Sequence, residues 1–329
     1  MLRIRLYLIS VLIITAVVSE AQETADLGEI NLTYPVYSQY LHNGLIINPA
    51  YAGSREGISV FLSSRYQWLG LGDGAPRSQT LSMHSLLKND HVGLGLSGQY
   101  YTYGVTKLIN VNADYAYQIR AGNGRLAFGL NAGFNMLSSN YSAEFIYSLT
   151  SSRHPGSGGG IDDAFVNDEK PVMVPNVGSG FYFFSERLFF GAAVPSFLSF
   201  SRNDGLVTYK TFSDFDVLVS AGGLISFSES LKFKPSVFVQ LSTNPSKPMR
   251  IDLNGNIIIS DFLWIGASWR TSAKVIVGIL QFQVTPQAMF GFSYDYSVGQ
   301  MDLVNYGSIE AVFRYEFGYR VSAANPRYF

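Results

Sequence analysis

The sequence predicts an all-β chain: a transmembrane antiparallel β-barrel of about 14 strands, with a short N-terminal periplasmic or plug segment. Three observations predict it. From about residue 57 nearly to the end, apolar and polar residues alternate with the period of two that a strand with unlike faces requires. Charged residues make up only 14%, against roughly 25% in soluble domains, while 32 Gly, 24 Phe and 21 Tyr point to short aromatic strands. Connections between the strands are short at one end and mostly longer at the other, which is the asymmetry of outer-membrane barrels.

Taken in order, the chain begins with Arg3 and Arg5, an apolar run from Leu6 to Val18, and Ser19-Glu20-Ala21. This reads as a signal peptide over 1–21. The run is shorter than the roughly 20 apolar residues of a spanning helix. Residues 22–56 form a periplasmic N-terminal segment that starts polar and acidic. Within it, Ser38 and Gly44 bracket one or two helical turns over Gln39 to Asn43, and Asn48-Pro49 repeats the capping logic with Pro at the first helical position.

The barrel is expected over 57–319. Its strands fall near 57–69, 77–87, 91–103, 107–120, 125–138, 176–184, 187–200, 212–227, 231–243, 249–260, 263–271, 274–284, 287–296 and 307–319. In the last of them Ile309, Ala311, Phe313, Tyr315, Phe317 and Tyr319 share one face, with Glu310, Arg314 and Glu316 opposite. An apolar face backed by charges is what lipid outside and a polar lumen inside demand. Ala121-Gly122-Asn123-Gly124 is a hairpin turn on chemical grounds. The tail, 320–329, is placed in the periplasm together with the N-terminal segment.

Several functions are excluded or set aside by chemistry. A net charge of -1 and the absence of any Lys/Arg run argue against nucleic acid. The chain has no cysteine, hence no disulfide, thiolate metal site or cysteine nucleophile. Ser82 and His84 share the polar face of one strand and form the best case for a hydrolase, yet both are ordinary lumen-wall residues. Asp162, Asp163, Asp168 and Glu169 lie in a Gly-rich loop without the alternating ligands of an EF-hand. No catalytic, metal or cofactor site is therefore assigned. The lumen face, with Arg65, Gln67, Asp114, Arg120, Glu310, Arg314 and Glu316, mixes both signs and is compatible with a lumen filled by protein.

The remaining distinctive residues are Tyr37-Ser38-Gln39-Tyr40, Asn43-Gly44, Asn48-Pro49-Ala50-Tyr51-Ala52-Gly53, Gln67-Trp68, Gly74-Ala75-Pro76 and the ending Asn325-Pro326-Arg327-Tyr328-Phe329. Together with the strand-rich body they resemble the PorP/SprF family of Bacteroidetes outer-membrane proteins, over the whole mature chain. That resemblance implies a non-enzymatic component of the type IX secretion system, possessing no cofactor and associated with gliding motility in some members. It implies as partners either a periplasmic lipoprotein and ring proteins, or a large surface adhesin with a C-terminal sorting domain, besides the lipids of the outer membrane. The positions it marks for partner binding are Tyr40, Asn43, Asn48, Pro49, Tyr51, Gly53, Gln67, Trp68, Pro76, Pro326, Arg327, Tyr328 and Phe329. A plugged channel for small or hydrophobic solutes is the alternative.

Overall fold

The computed structural model describes residues 38–139, 169–298 and 306–318, apart from 56, 73, 89, 204–205, 212–214 and 245–248. The expected signal peptide, the acidic stretch Asp162 to Asp168 and the tail carrying Pro326, Arg327, Tyr328 and Phe329 lie outside them.

The strands are β1 (Ile58–Tyr66), β2 (Arg77–Leu86), β3 (Val92–Tyr103), β4 (Thr106–Ala121), β5 (Gly124–Ser139), β6 (Glu169–Ser185), β7 (Leu188–Val194), β8 (Leu198–Asn203), β9 (Leu206–Thr211), β10 (Asp216–Gly223), β11 (Ile225–Ser226), β12 (Leu231–Ser242), β13 (Arg250–Ile259), β14 (Leu263–Arg270), β15 (Val275–Gln283), β16 (Ala288–Ser297) and β17 (Ser308–Phe317). Neighbours in sequence pair antiparallel around the sheet, β1 pairs with β17, and β10 pairs with both β7 and β12, so the wall closes on itself. β11 continues the line of β10 after a break at Leu224, and β8 and β9 pair only with each other, which leaves fourteen strands in the wall. Closure pairs the first and last strands, β1 and β17, with each other, which removes the open sheet edge that lipid does not tolerate.

The two faces are inverted relative to a soluble domain. Leu62, Leu81, Leu96, Leu130, Ile265 and Phe292 are exposed on the outside, whereas Ser63, Ser82, Gln118, Asn131, Asn256 and Gln281 are buried within. Alternation along each strand produces this directly, because successive side chains leave opposite faces. In β17, Glu310, Arg314 and Glu316 face inward and are buried, as the sequence pattern demands.

Three of the departures from the sequence expectation fall near prolines. β6 runs from Glu169 rather than 176, past Pro175. There the strand pairs only with β5, since β7 reaches only Ser179 to Phe184, so the proline takes a free edge. β7 ends at Val194, just before Pro195, and of the residues expected to prolong it 198–200 belong instead to β8 of the separate β8–β9 hairpin. The break at Leu224 follows Gly223, which the register sets across from Pro235 of β12, a residue with no N–H to give that neighbour; on the other side Leu224 N–H donates to Arg187 O at 2.8 Å.

Candidate functional site, a plug inside the barrel

Of the two placements expected for the N-terminal segment, periplasmic or plug, residues 38–55 take the second. Two single 3-10 turns, Tyr40–His42 and Pro49–Tyr51, flank one α-helical turn, Gly44–Ile47. The second expected cap is formed: Asn48 Oδ1 accepts from Ala50 N–H at 2.9 Å ahead of Pro49 at the first helical position. The first is not. Gln39 occupies the N-cap without a side-chain bond, and Gly44 opens the next turn instead of closing this one.

Ser38 meets the wall at the end where β1 finishes. Its N–H donates to Glu310 at 2.8 Å and its hydroxyl to Asp295 at 2.7 Å. Arg65 donates to that hydroxyl at 3.0 Å and pairs with Asp295 at 2.6 Å. Arg270 bridges Asp295 at 3.2 Å and Asp252 at 3.4 Å, and Arg250 holds Asp252 at 2.5 Å. Three guanidinium groups thus meet three carboxylates in a buried network, so each charge has a partner where an unpaired one would be costly. Gln67 accepts from Arg65 Nε at 3.3 Å, so the Gln67-Trp68 loop and the entry motif meet through Arg65. The strand order sets these two motifs at opposite ends of the barrel unless the segment runs through the lumen, and it does.

Midway, Tyr40 packs on Phe238 with ring centroids 4.7 Å apart, and His42 sets its edge against Trp264 at 5.5 Å. Burial, with Lys234, Arg314 and Arg55 nearby, holds the His42 imidazole well below its ordinary pKa; burial chiefly, with Asp252 adding, pushes the Tyr40 phenol up. Ser82 donates to Asn43 Oδ1 at 2.8 Å. The Gln281 amide donates to Gln39 Oε1 at 3.1 Å.

Below this the segment lies in backbone contact with the wall. A Cβ on Gly129 would collide with Ala50 and Pro49 backbone, and one on Gly93 with the Ala52 carbonyl. Gly95 faces Leu45, while Gly180 and Gly191 flank the Asn48 amide. Five lumen-facing glycines on β3, β5, β6 and β7 therefore carve the groove that admits the Pro49-Ala50-Tyr51-Ala52 turn. Around it Leu45, Ala50, Tyr51 and Ala52 form a dry cluster with Ala116, Ala127, Tyr182, Phe184 and Phe189. Asn48 Nδ2 donates to Phe181 O at 2.8 Å and Gln118 Nε2 to Ala52 O at 3.2 Å.

The segment leaves at the end where β1 begins. Gly53 N–H donates to His84 Nδ1 at 3.2 Å, and Arg55 pairs with Glu316 at 2.5 Å, a carboxylate shared with Arg314 Nε at 3.3 Å. Ser82 and His84 thus each serve the plug, and neither is arranged as nucleophile and base.

Of the positions singled out in the sequence, Tyr40, Asn43, Asn48, Pro49, Tyr51 and Gly53 are buried in the lumen against the barrel's own wall. Gln67, Trp68 and Pro76 sit in the loop between β1 and β2, where Gln67 N–H donates to Pro76 O at 2.9 Å and Trp68 N–H to Ser308 Oγ at 3.2 Å. Trp68 holds φ 53, the left-handed region. Sequence reasoning missed the glycine groove and the partners Asp252, Arg270 and Asp295. Their one legible signal was position: small or charged residues recurring on the inward face of successive strands.

Solved structures similar to this chain include Omp33 of Acinetobacter baumannii, at 10% identity and TM-score 0.44, covering 80% of this chain and 100% of that one. The CymD monoaromatic hydrocarbon channel is 12% identical with TM-score 0.48, covering 87% and 94%. The toluene transporter TbuX of Ralstonia pickettii is 11% identical with TM-score 0.48, covering 83% and 92%. No curated protein matches the chain. Residues 30–315 match the family model described as type IX secretion system membrane protein PorP/SprF. This closed outer-membrane barrel, with its lumen-bound Asn48-Pro49-Ala50-Tyr51 turn, belongs to the PorP/SprF family of type IX secretion system membrane proteins.

Proposed function

We propose that the protein is a closed docking platform of the secretion machinery and conducts no solute. The observation that carries this reading is the plug: residues 38–55 contact β1 to β7 on one side and β12 and β14 to β17 on the other, by hydrogen bonds, ion pairs and close packing. Pro195 O also turns inward, accepting from Asn131 and Asn176 at 3.1 and 3.3 Å. A barrel so filled offers surfaces rather than a passage.

In this reading the short connections lie in the periplasm. β17 then delivers the chain to the periplasmic side, where Pro326, Arg327, Tyr328 and Phe329 meet a periplasmic lipoprotein or ring protein. The opposite mouth, with Trp68 and Pro76, faces the surface and receives an adhesin's C-terminal sorting domain. Tyr40, Asn43, Asn48, Pro49, Tyr51 and Gly53 act indirectly, by holding the barrel shut.

Two measurements test this. Purified protein in planar bilayers is expected to be silent, and steady conductance from the intact chain would support the plugged-channel alternative. Crosslinking in native membranes is expected to recover secretion components or an adhesin, with recovery falling when residues 326–329 or Trp68 are altered. Unchanged recovery from both variants would sink the docking assignment.

A further inference from the structure

Among the described residues, one buried carboxylate in the wall has neither a hydrogen-bond nor an ionic partner. Asp114 of β4 is 5% exposed, and its Oδ2 is buried and unpartnered. No charged group offsets its burial. An uncompensated buried carboxylate is costly, so it calls for a counterion or a proton.

Its surroundings supply oxygen. Asn131 of β5 lies directly opposite Asp114 in the register, and Asn176 of β6 is one row above, across from Gly133. The amide orientations are fixed by their donors: Asn131 Nδ2 and Asn176 Nδ2 both point to Pro195 O, and Asn176 Nδ2 also to Asn112 Oδ1 at 2.8 Å. The chain continues from Asn112 Nδ2 to Asn110 Oδ1 at 2.7 Å and from Asn110 Nδ2 to Asn135 Oδ1 at 2.5 Å. With every amide nitrogen committed, Asn131 Oδ1 and Asn176 Oδ1 are left as buried, unpartnered acceptors. Three such oxygens, one of them anionic, stand on adjacent strands with no donor among them.

We propose that Asp114, Asn131 and Asn176 form a site for a hard cation of the size of calcium or sodium, independent of the secretion role. Such ions take carboxylate, amide and carbonyl oxygens in flexible geometry, whereas magnesium demands a smaller octahedral shell. A single carboxylate makes the site weak, with a calcium Kd on the order of 0.1–1 mM, the range of extracellular modules. The bound ion ties β4, β5 and β6 together beside the plug, since Asp114 Cβ and Leu45 flank the same glycine, Gly95.

The test uses the purified full barrel in detergent after chelation. Equilibrium dialysis with radioactive calcium is expected to show one site that sodium competes for and magnesium does not. Asp114→Asn is expected to weaken calcium binding at least tenfold, while Asp162→Asn with Asp163→Asn leaves it unchanged. Calcium should raise the unfolding temperature of the wild type and not that of Asp114→Asn. Equal calcium binding by wild type and Asp114→Asn, loss of binding only in the loop variant, or no binding at all would overturn the proposal. Infrared spectra of the wild type keep it decidable if Asp114→Asn fails to fold. A carboxylate band that shifts on adding calcium supports the site, and a protonated-carboxyl band unchanged by calcium refutes it.

Discussion

Gly129 of the wall and Ala50 of the plug touch backbone to backbone, with no space between them for a single methyl group. This contact makes the first prediction. Gly129→Ala should leave the barrel closed but push the Pro49-Ala50-Tyr51 turn out of its groove, at an overpacking cost of about 1–3 kcal/mol. Limited proteolysis of the N-terminal segment, slow in the wild type, is expected to accelerate at least tenfold. Gly98 has open space where its Cβ would stand, so Gly98→Ala serves as the matched control and should change nothing.

The ionic cluster at the other end of the plug makes a graded prediction. Asp295 receives Arg65, Arg270 and the Ser38 hydroxyl. Asp295→Asn takes the shorter carboxylate contact from two buried guanidinium groups, leaving Arg65 only Glu310 and Arg270 only Asp252, each at 3.4 Å, and should cost about 3–5 kcal/mol. Ser38→Ala removes only a hydroxyl and leaves the ion pairs in place, so it should cost roughly 1 kcal/mol. Equal losses in thermal unfolding would mean that the network does not couple plug and wall as the geometry indicates.

The contrast between what the sequence disclosed and what it hid is physical. Alternation, turn chemistry and the absence of a spanning helix are local, and they reach fourteen strands and the inverted faces without tertiary information. The paths of side chains across the lumen are not local. Arg65 and Asp295 are 230 positions apart, and nothing in Tyr294-Asp295-Tyr296 says which arginine it meets. Likewise Gly129 and Gly133 read as neutral members of a polar face, because a glycine's use as empty space shows only when its neighbour is in place. The Asn48-Pro49 cap was legible for the opposite reason, being complete within three residues.

His42 makes the plug pH-sensitive. Burial and the cations Lys234, Arg314 and Arg55 keep its folded-state pKa well below the ordinary value of about 6.5. The unfolded chain therefore binds a proton that the folded chain refuses. Stability from the neutral imidazole is full above about pH 6.5 and declines as pH falls, by at most about 1.4 kcal/mol per unit. The unfolding temperature of the wild type should drop between pH 6.5 and 4.5 more steeply than that of His42→Gln. Parallel curves would show that His42 is not the group responsible.

Asn48 performs two tasks with one amide, and substitutions separate them. Its Oδ1 caps the Pro49–Tyr51 turn through Ala50 N–H, while its Nδ2 reaches across to Phe181 O. Asn48→Asp keeps the cap and removes the donor, setting a carboxylate against a carbonyl in a buried groove beside Gly180 and Gly191. Asn48→Ala removes both, at about 1 kcal/mol for the cap and roughly 1–3 kcal/mol for the orphaned carbonyl. If the residue serves mainly as a cap, the aspartate substitution should be the milder one. If it serves mainly to fasten plug to wall, that substitution should be the worse, since repulsion and charge burial add to the lost bond. The groove geometry favours the second order, with Asn48→Asp releasing the plug to protease faster than Asn48→Ala. The reverse order would return the Asn-Pro motif to a local turn signal whose place in the lumen is set by the glycines alone.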